Sequence, residues 1–222
     1  MSIKGVLFDF DGTLANTIDL IISTFEHTCK TVLGIVPSRQ HIISTFGLPL
    51  ADAMIKLSGS PDLVEEMRIV YRDYNNAHHD EMIRPILGVK STLQHLKQRG
   101  IKIAVVTSKK SPMLQRGLNC LQIADYIDIV IALGDTKESK PHPEPMLKAC
   151  NMLGLKPEEC ISVGDSPFDL QSGNRAGTTT IAVRYSYFPW QIILDEGKPD
   201  YSINNPEELI SLIDILDSKE EK

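Results

Sequence analysis

This 222-residue chain contains no apolar stretch that approaches the ~18 residues needed to span a bilayer, so a transmembrane helix is not expected. The apolar run Val6-Leu7-Phe8 follows the N-terminus so closely that no signal peptide is expected either, and the expected location is the cytoplasm. Basic residues are not in excess. Lys and Arg number 23 against 29 Asp and Glu, a formal net charge of -6, which gives no electrostatic footprint for nucleic acid. The four cysteines, Cys29, Cys120, Cys150 and Cys160, lack zinc-type spacing. Three of them sit in apolar segments, where a thiol behaves as a small hydrophobe, and disulfides are not expected. No internal repeat or low-complexity tract breaks the chain. No nucleic-acid or membrane partner is expected, and the chain is expected to act as a monomer or homodimer.

What is present is an alternation of strand and helix patterns from residue 86 onward. Helix-like Val89–Arg99 ends at Gly100 and leads to the strand Ile101–Val106. Helix Pro112–Cys120, the apolar run Ile127–Leu133, helix Glu144–Leu153, strand Cys160–Val163, helix Asp169–Ala176 and strand Thr179–Val183 follow in turn. Tyr201-Ser202-Ile203 adds an edge strand, Leu209–Leu216 a closing helix, and Asp217–Lys222 reads as a frayed polar tail. This rhythm predicts a parallel sheet covered by helices on both faces. Residues 16–83 interrupt it with helix-like patterns punctuated by Gly34, Pro37, Gly47-Leu48-Pro49 and Gly59-Ser60-Pro61, the mark of a helical insert.

Chemistry gathers where the strands stop. Asp9-Phe10-Asp11-Gly12-Thr13 follows the first apolar run, and two carboxylates beside a buried strand repel one another unless a cation lies between them. An ordinary Asp-Gly turn is the competing reading of those residues alone. Thr107-Ser108 ends the second strand and Gly164-Asp165 the third, so that three strands converge on one edge, the place where open parallel sheets bind ligands. Ser108 could instead cap the helix beginning near Pro112. Lys140 opens the loop Ser139-Lys140-Pro141-His142-Pro143-Glu144-Pro145, whose prolines restrict it and fix the ammonium. Asp169 follows Asp165 by four residues, a spacing that places both on one face of a helix start.

These four elements, in this order, resemble the motifs of the haloacid dehalogenase superfamily of hydrolases, and the similarity covers essentially the whole chain. The resemblance implies an α/β fold, a Rossmann-like doubly wound parallel sheet core (residues 1–15 and 84–222) with an inserted α-helical cap domain (16–83) of four or five helices. It implies that Asp9 is the nucleophile, forming an aspartyl-phosphate, and that Asp11 is the general acid and base. Mg²⁺ would be held by Asp9, the Asp11 backbone carbonyl and Asp165, with Asp169 and Ser166 supporting the site, while Thr107, Ser108 and Lys140 would receive the phosphoryl oxygens. Asp169 as a first-turn acid favoured by the helix dipole is an equal reading. Asn16 departs from the acidic residue many relatives carry there, a position outside the four motifs.

An acid at position 11 separates this chain from the superfamily's dehalogenases and transport ATPases. Ile21 stands where the β-phosphoglucomutase branch carries a cap histidine. The whole chain is similar to phosphoglycolate phosphatases and to bacterial pyrophosphatases, so pyrophosphate or phosphoglycolate is the expected substrate. Tyr71-Arg72-Asp73-Tyr74-Asn75 with His79-Asp80 leans toward pyrophosphatases, and Arg72 is a candidate contact for a second anion. The alternatives are a sugar phosphatase or phosphomutase of the superfamily and, from another class, a phosphoacceptor or binding module without turnover. His78-His79-Asp80 reads as substrate contact or a solvated face rather than a metal site, Lys109-Lys110 as a solvated pair near the site mouth, and Tyr185, Tyr187, Phe188 and Trp190 as packing.

Overall fold

The computed structural model describes residues 2–219. The chain divides into two compact units, Met1–Ala15 with Pro85–Lys222, and Asn16–Arg84. The first holds a six-stranded, wholly parallel sheet in the order β5-β4-β1-β6-β7-β8. Its strands are β1 (Gly5–Phe8), β4 (Lys102–Val106), β5 (Ile129–Ile131), β6 (Cys160–Gly164), β7 (Thr179–Val183) and β8 (Tyr201–Ile203). The strand order reverses at β1, which places the first motif at the sheet's topological switch point.

β1 and β6 are buried along their whole length, as strands covered on both faces must be. Leu7 lies between Ala104 and Ser162 in register, and Leu7, Ala104 and Val106 pack with Met146, Ala149, Cys150 and Leu153 of α7 (Glu144–Leu153). The unit's other helices are α5 (Val89–Gln98), α6 (Ser111–Cys120), α8 (Pro167–Ala176), the short α9 (Trp190–Ile192) and α10 (Glu208–Lys219). All four cysteines are free thiols, and only Cys120 is exposed. No helix among the described residues is long and apolar enough to cross a membrane.

Several boundaries differ from the sequence reading, and two of them change an argument. Helix α8 begins at Pro167, not Asp169, because Ser166 and Asp169 close a capping box around its first turn and proline is well suited to that position. Asp165 therefore precedes the helix and does not share a helical face with Asp169. Helix α10 continues through the expected polar tail to Lys219, and Asp217 accepts a hydrogen bond from the Ile3 amide at 2.8 Å. The rest of that tail, residues 220–222, lies outside the described residues.

The second unit consists of α1 (Ile18–Leu33), α2 (Arg39–Ile43), α3 (Leu50–Ser58) and α4 (Val64–Met82), with a 3-10 turn at Pro61–Leu63. Ile18, Ile22, Phe25 and Cys29 recur at helical spacing on the buried face of α1. Phe25 meets Tyr71 of α4 with ring centroids 4.9 Å apart. Short paired strands, β2 (Ala15–Asn16) and β3 (Arg84–Pro85), mark where the chain passes between the units. At two residues each they have no period to read in the sequence.

Candidate active site

The parallel sheet brings the ends of β1, β4 and β6 together, and one ammonium ties the first two to the helix that follows β6. Lys140 Nζ donates to Asp9 Oδ1 just past β1 at 2.7 Å, to the Val106 carbonyl at the end of β4 at 3.0 Å, and to Asp169 Oδ1 in the first turn of α8 at 2.5 Å. All three side chains are buried. Burial by itself would strip the proton from Lys140, but the carboxylates of Asp169 and Asp9 outweigh it and hold the ammonium charged well above the usual lysine range. The loop that delivers Lys140 is held by more than its prolines. Arg175 donates to the Pro141 carbonyl at 2.8 Å, Ser172 to that of His142 at 2.7 Å, and the Glu144 carboxylate accepts from the Lys137 and Glu138 amides.

Asp169 fills both roles weighed for it. Its Oδ2 accepts from the Ser166 amide at 3.1 Å and from the Ser166 hydroxyl at 2.6 Å, closing the helix cap, while Oδ1 faces Lys140. Ser166 thereby fixes the carboxylate that fixes the lysine. Gly164 is required here by close approach, since a Cβ on it would lie 2.3 Å from that of Asp169.

Carboxylate oxygens of Asp9, Asp165 and Asp169 lie within 4.8 Å of one another, all buried. Burial pushes the Asp9 carboxyl up to about 7 against the pull of Lys140, with Asp169 and Asp11 adding to the rise. Burial likewise raises Asp165 well above the carboxylate range, reinforced by Asp169 and Asp9. Three acids facing one lysine leave negative charge uncompensated in a buried place. An all-oxygen donor set of this kind fits a hard divalent cation such as Mg²⁺.

Asp11 stands apart from this group. Its carboxylate is gripped by Lys109, whose Nζ lies 2.8 Å from Oδ1 and 2.9 Å from Oδ2. The expected solvated pair is thus divided: Lys110 is exposed, while the Lys109 side chain is only 15% exposed. The reason is local. The Thr107 hydroxyl accepts from the Lys109 amide at 3.2 Å and turns the chain so that the lysine runs back toward Asp11. Gly12, at φ +85°, closes the turn after Asp11, and a Cβ there would meet Asp165 Oδ2 at 2.3 Å. Ser108 does not cap α6, whose N-cap is Lys110; it lines a recess with Thr107, Thr136, Ser139 and Lys140.

The aromatic segment after β7 also divides. Phe188 and Trp190 pack on Leu170, Ala182 and Ile193, as expected. Tyr185 has a second task, donating from its hydroxyl to the Thr13 carbonyl at 3.2 Å, and Ser186 donates to the Asp165 carbonyl at 2.5 Å. Both pin the backbone of acid-bearing loops. Lys109, Tyr185 and Ser186 were not among the expected site residues.

Arg72 lies exposed on α4 in the helical unit. In the same helix His78 stacks on Tyr74 with centroids 4.1 Å apart, and His79 is fully buried with Nδ1 2.7 Å from Asp80. His79 is therefore neither a solvated face nor a member of a metal cluster among the described residues.

Comparison with known proteins identifies the family. The family model for haloacid dehalogenase-like hydrolases matches residues 6–183. PpaX from Clostridium perfringens is 44% identical over 216 residues, covering 97% of this chain and all of that protein. The pyrophosphatase PpaX from Halalkalibacterium halodurans is 39% identical over 215 residues, 97% of this chain and 99% of the relative. Among solved structures, a predicted phosphoglycolate phosphatase from Haemophilus somnus superposes with a TM-score of 0.86 over 96% of this chain and 98% of its own. Its 24% identity makes that a likeness of fold.

Proposed function

The chain belongs to the haloacid dehalogenase-like hydrolases and is a phosphatase, and from that premise we propose that it is a Mg²⁺-dependent phosphohydrolase working through an aspartyl-phosphate on Asp9, with pyrophosphate as its first substrate and phosphoglycolate as its second. The observation that carries the mechanism is the buried ammonium of Lys140, shared between Asp9 and Asp169 beside Asp165. Lys140 holds one oxygen of Asp9 and leaves the other to attack phosphorus. As that O–P bond forms, the bond to the leaving group breaks and its oxygen takes a proton from Asp11. Asp11 then removes a proton from water, which attacks the phosphoryl group, releases phosphate and restores Asp9. Asp9, Asp165 and the Asp11 carbonyl would hold Mg²⁺, which would supply neutralising charge for nucleophile and substrate. Lys140, Thr107 and Ser108 receive the phosphoryl oxygens, and Asp169 with Ser166 keeps Lys140 in place.

The lean toward pyrophosphate rests on the full-length similarity to pyrophosphatase relatives. We place the enzyme in the cytoplasm, acting on a small phosphorylated metabolite, without a nucleic-acid partner, as a monomer or homodimer. The test is a panel of pyrophosphate, phosphoglycolate, sugar phosphates and an aryl phosphate, ranked by kcat/KM with Mg²⁺, with Ca²⁺ and after exhaustive chelation. Turnover is expected to need Mg²⁺, to fall with Ca²⁺, and to rank pyrophosphate first. Undiminished activity after chelation, or a sugar phosphate at the head of the ranking, contradicts the proposal.

A further inference from the structure

The α/β unit carries two site lysines, and their partners divide the reaction between them. Lys140 sits on Asp9, the side from which phosphorus is attacked. Lys109 sits on Asp11, the group that delivers a proton to the departing oxygen. Lys109 is held along its length. Its amide donates to Thr107 Oγ1 at 3.2 Å, its carbonyl accepts from Leu133 at 3.0 Å, and its ammonium lies 5.7 Å from the centroid of the Phe10 ring. Its side chain is 15% exposed, against 5% for Lys140, so it keeps an open side that Lys140 lacks.

Position on the leaving-group side has a chemical consequence. When Asp9 attacks and the P–O bond breaks, the leaving oxygen takes the proton and Asp11 is left as a carboxylate. A neutral alcohol departs from that carboxylate without electrostatic conflict. A leaving group that is itself an anion does not, because two negative charges then face each other in a partly dehydrated place. An ammonium already bidentate on Asp11 has a third N–H and a full positive charge with which to hold both.

Resting on the phosphohydrolase reading, we infer that Lys109 is a specificity-determining residue, selecting phosphoryl donors whose leaving group carries its own negative charge: a second phosphate, or a hydroxy-carboxylate. Discrimination among substrates then begins in the α/β unit.

The experiment measures kcat/KM of the Mg²⁺-loaded full chain for pyrophosphate and for glycerol 2-phosphate, whose leaving group is a neutral alcohol that needs a proton to depart, in wild type, Lys109→Met, Lys109→Gln and Lys109→Arg, with far-UV dichroism on each. Both neutral variants are expected to lose ~10–100-fold more on pyrophosphate than on glycerol 2-phosphate, the scale of one charge-assisted contact. Lys109→Arg is expected to keep most of the wild-type preference. Equal losses on the two substrates in folded neutral variants overturn the inference and make Lys109 a positioning residue for Asp11 alone. Wild-type protein that turns over neither substrate overturns the phosphohydrolase reading along with it, so the two failures are distinct.

Discussion

In the α/β unit a lysine buried among carboxylates is held by three hydrogen bonds, whereas in the helical unit the arginine singled out from the sequence stands exposed on α4. The contrast extends to the helices that carry them. Six of the ten residues of α8 are buried, including Asp169, against two of the nineteen in α4, Met67 and His79. Charges in the first unit are fixed by neighbours before any substrate arrives, which is the preorganisation that phosphoryl transfer draws on. Arg72 stands exposed on α4, and a contact from it must order its long side chain at the moment it forms. The comparison teaches that chemistry should be concentrated in the α/β unit, and that substitutions there should cost far more than substitutions on α4.

The largest effect is expected at Asp9, the proposed nucleophile. Asp9→Asn should lower turnover by ~10³-fold or more, since the amide is nearly isosteric yet a far poorer nucleophile. The fold should survive, because one of three crowded carboxylates has been made neutral while Lys140 keeps Asp169. Phosphate release and far-UV dichroism on one preparation check both halves. A folded Asp9→Asn variant with near wild-type turnover would break the comparison at its strongest point.

Lys140→Met comes next and should damage stability as well as rate. Removing this buried cation leaves Asp9, Asp165 and Asp169 uncompensated, a loss of the order of 3–5 kcal/mol for an ion pair broken on one side. Thermal denaturation of the metal-free protein should show a lower Tm, and Mg²⁺ should recover part of it through Asp9 and Asp165. An unchanged Tm would mean that the buried charges do not hold this edge of the sheet together.

The smallest effect is expected from the helical unit. Arg72→Ala should lower kcat/KM about tenfold for pyrophosphate or phosphoglycolate, if its guanidinium meets a second anion, and leave an aryl phosphate unchanged. Equal losses on both kinds of substrate would assign Arg72 to folding. A loss on pyrophosphate as large as that of Asp9→Asn would overturn the ranking of the two units.

Much of the α/β unit was legible because its signals are strong and local. Buried strands show as unbroken apolar runs, and charge at the end of such a run is costly enough to demand a partner, which pointed to Asp9 and Asp165, while Lys140 was marked by the prolines that restrict its loop. The positions that escaped notice are those whose role depends on contacts distant in the chain. Lys109 looks like half of a solvated Lys-Lys pair until Thr107 turns it toward a carboxylate 98 residues away. Tyr185 reaches the Thr13 carbonyl across 172 residues, and Ser186 reaches the Asp165 carbonyl from a loop with no motif of its own. In the helical unit, His78 and His79 are neighbours in sequence but ~100° apart around α4, so one stacks on Tyr74 while the other is buried. A pair of adjacent histidines carries no mark of which will turn inward.

The central claim, that hydrolysis proceeds through a phosphorylated Asp9, is tested most directly by trapping the intermediate. Wild-type enzyme with Mg²⁺ and pyrophosphate would be quenched in acid on the millisecond scale, digested, and the peptide containing Asp9 weighed. The account predicts a transient gain of one phosphoryl group on Asp9, absent from Asp9→Asn and forming no more slowly than phosphate is released at steady state. Steady turnover with an Asp9 peptide that stays unmodified at every quench time, or a phosphoryl group found on Asp11 instead, would contradict it.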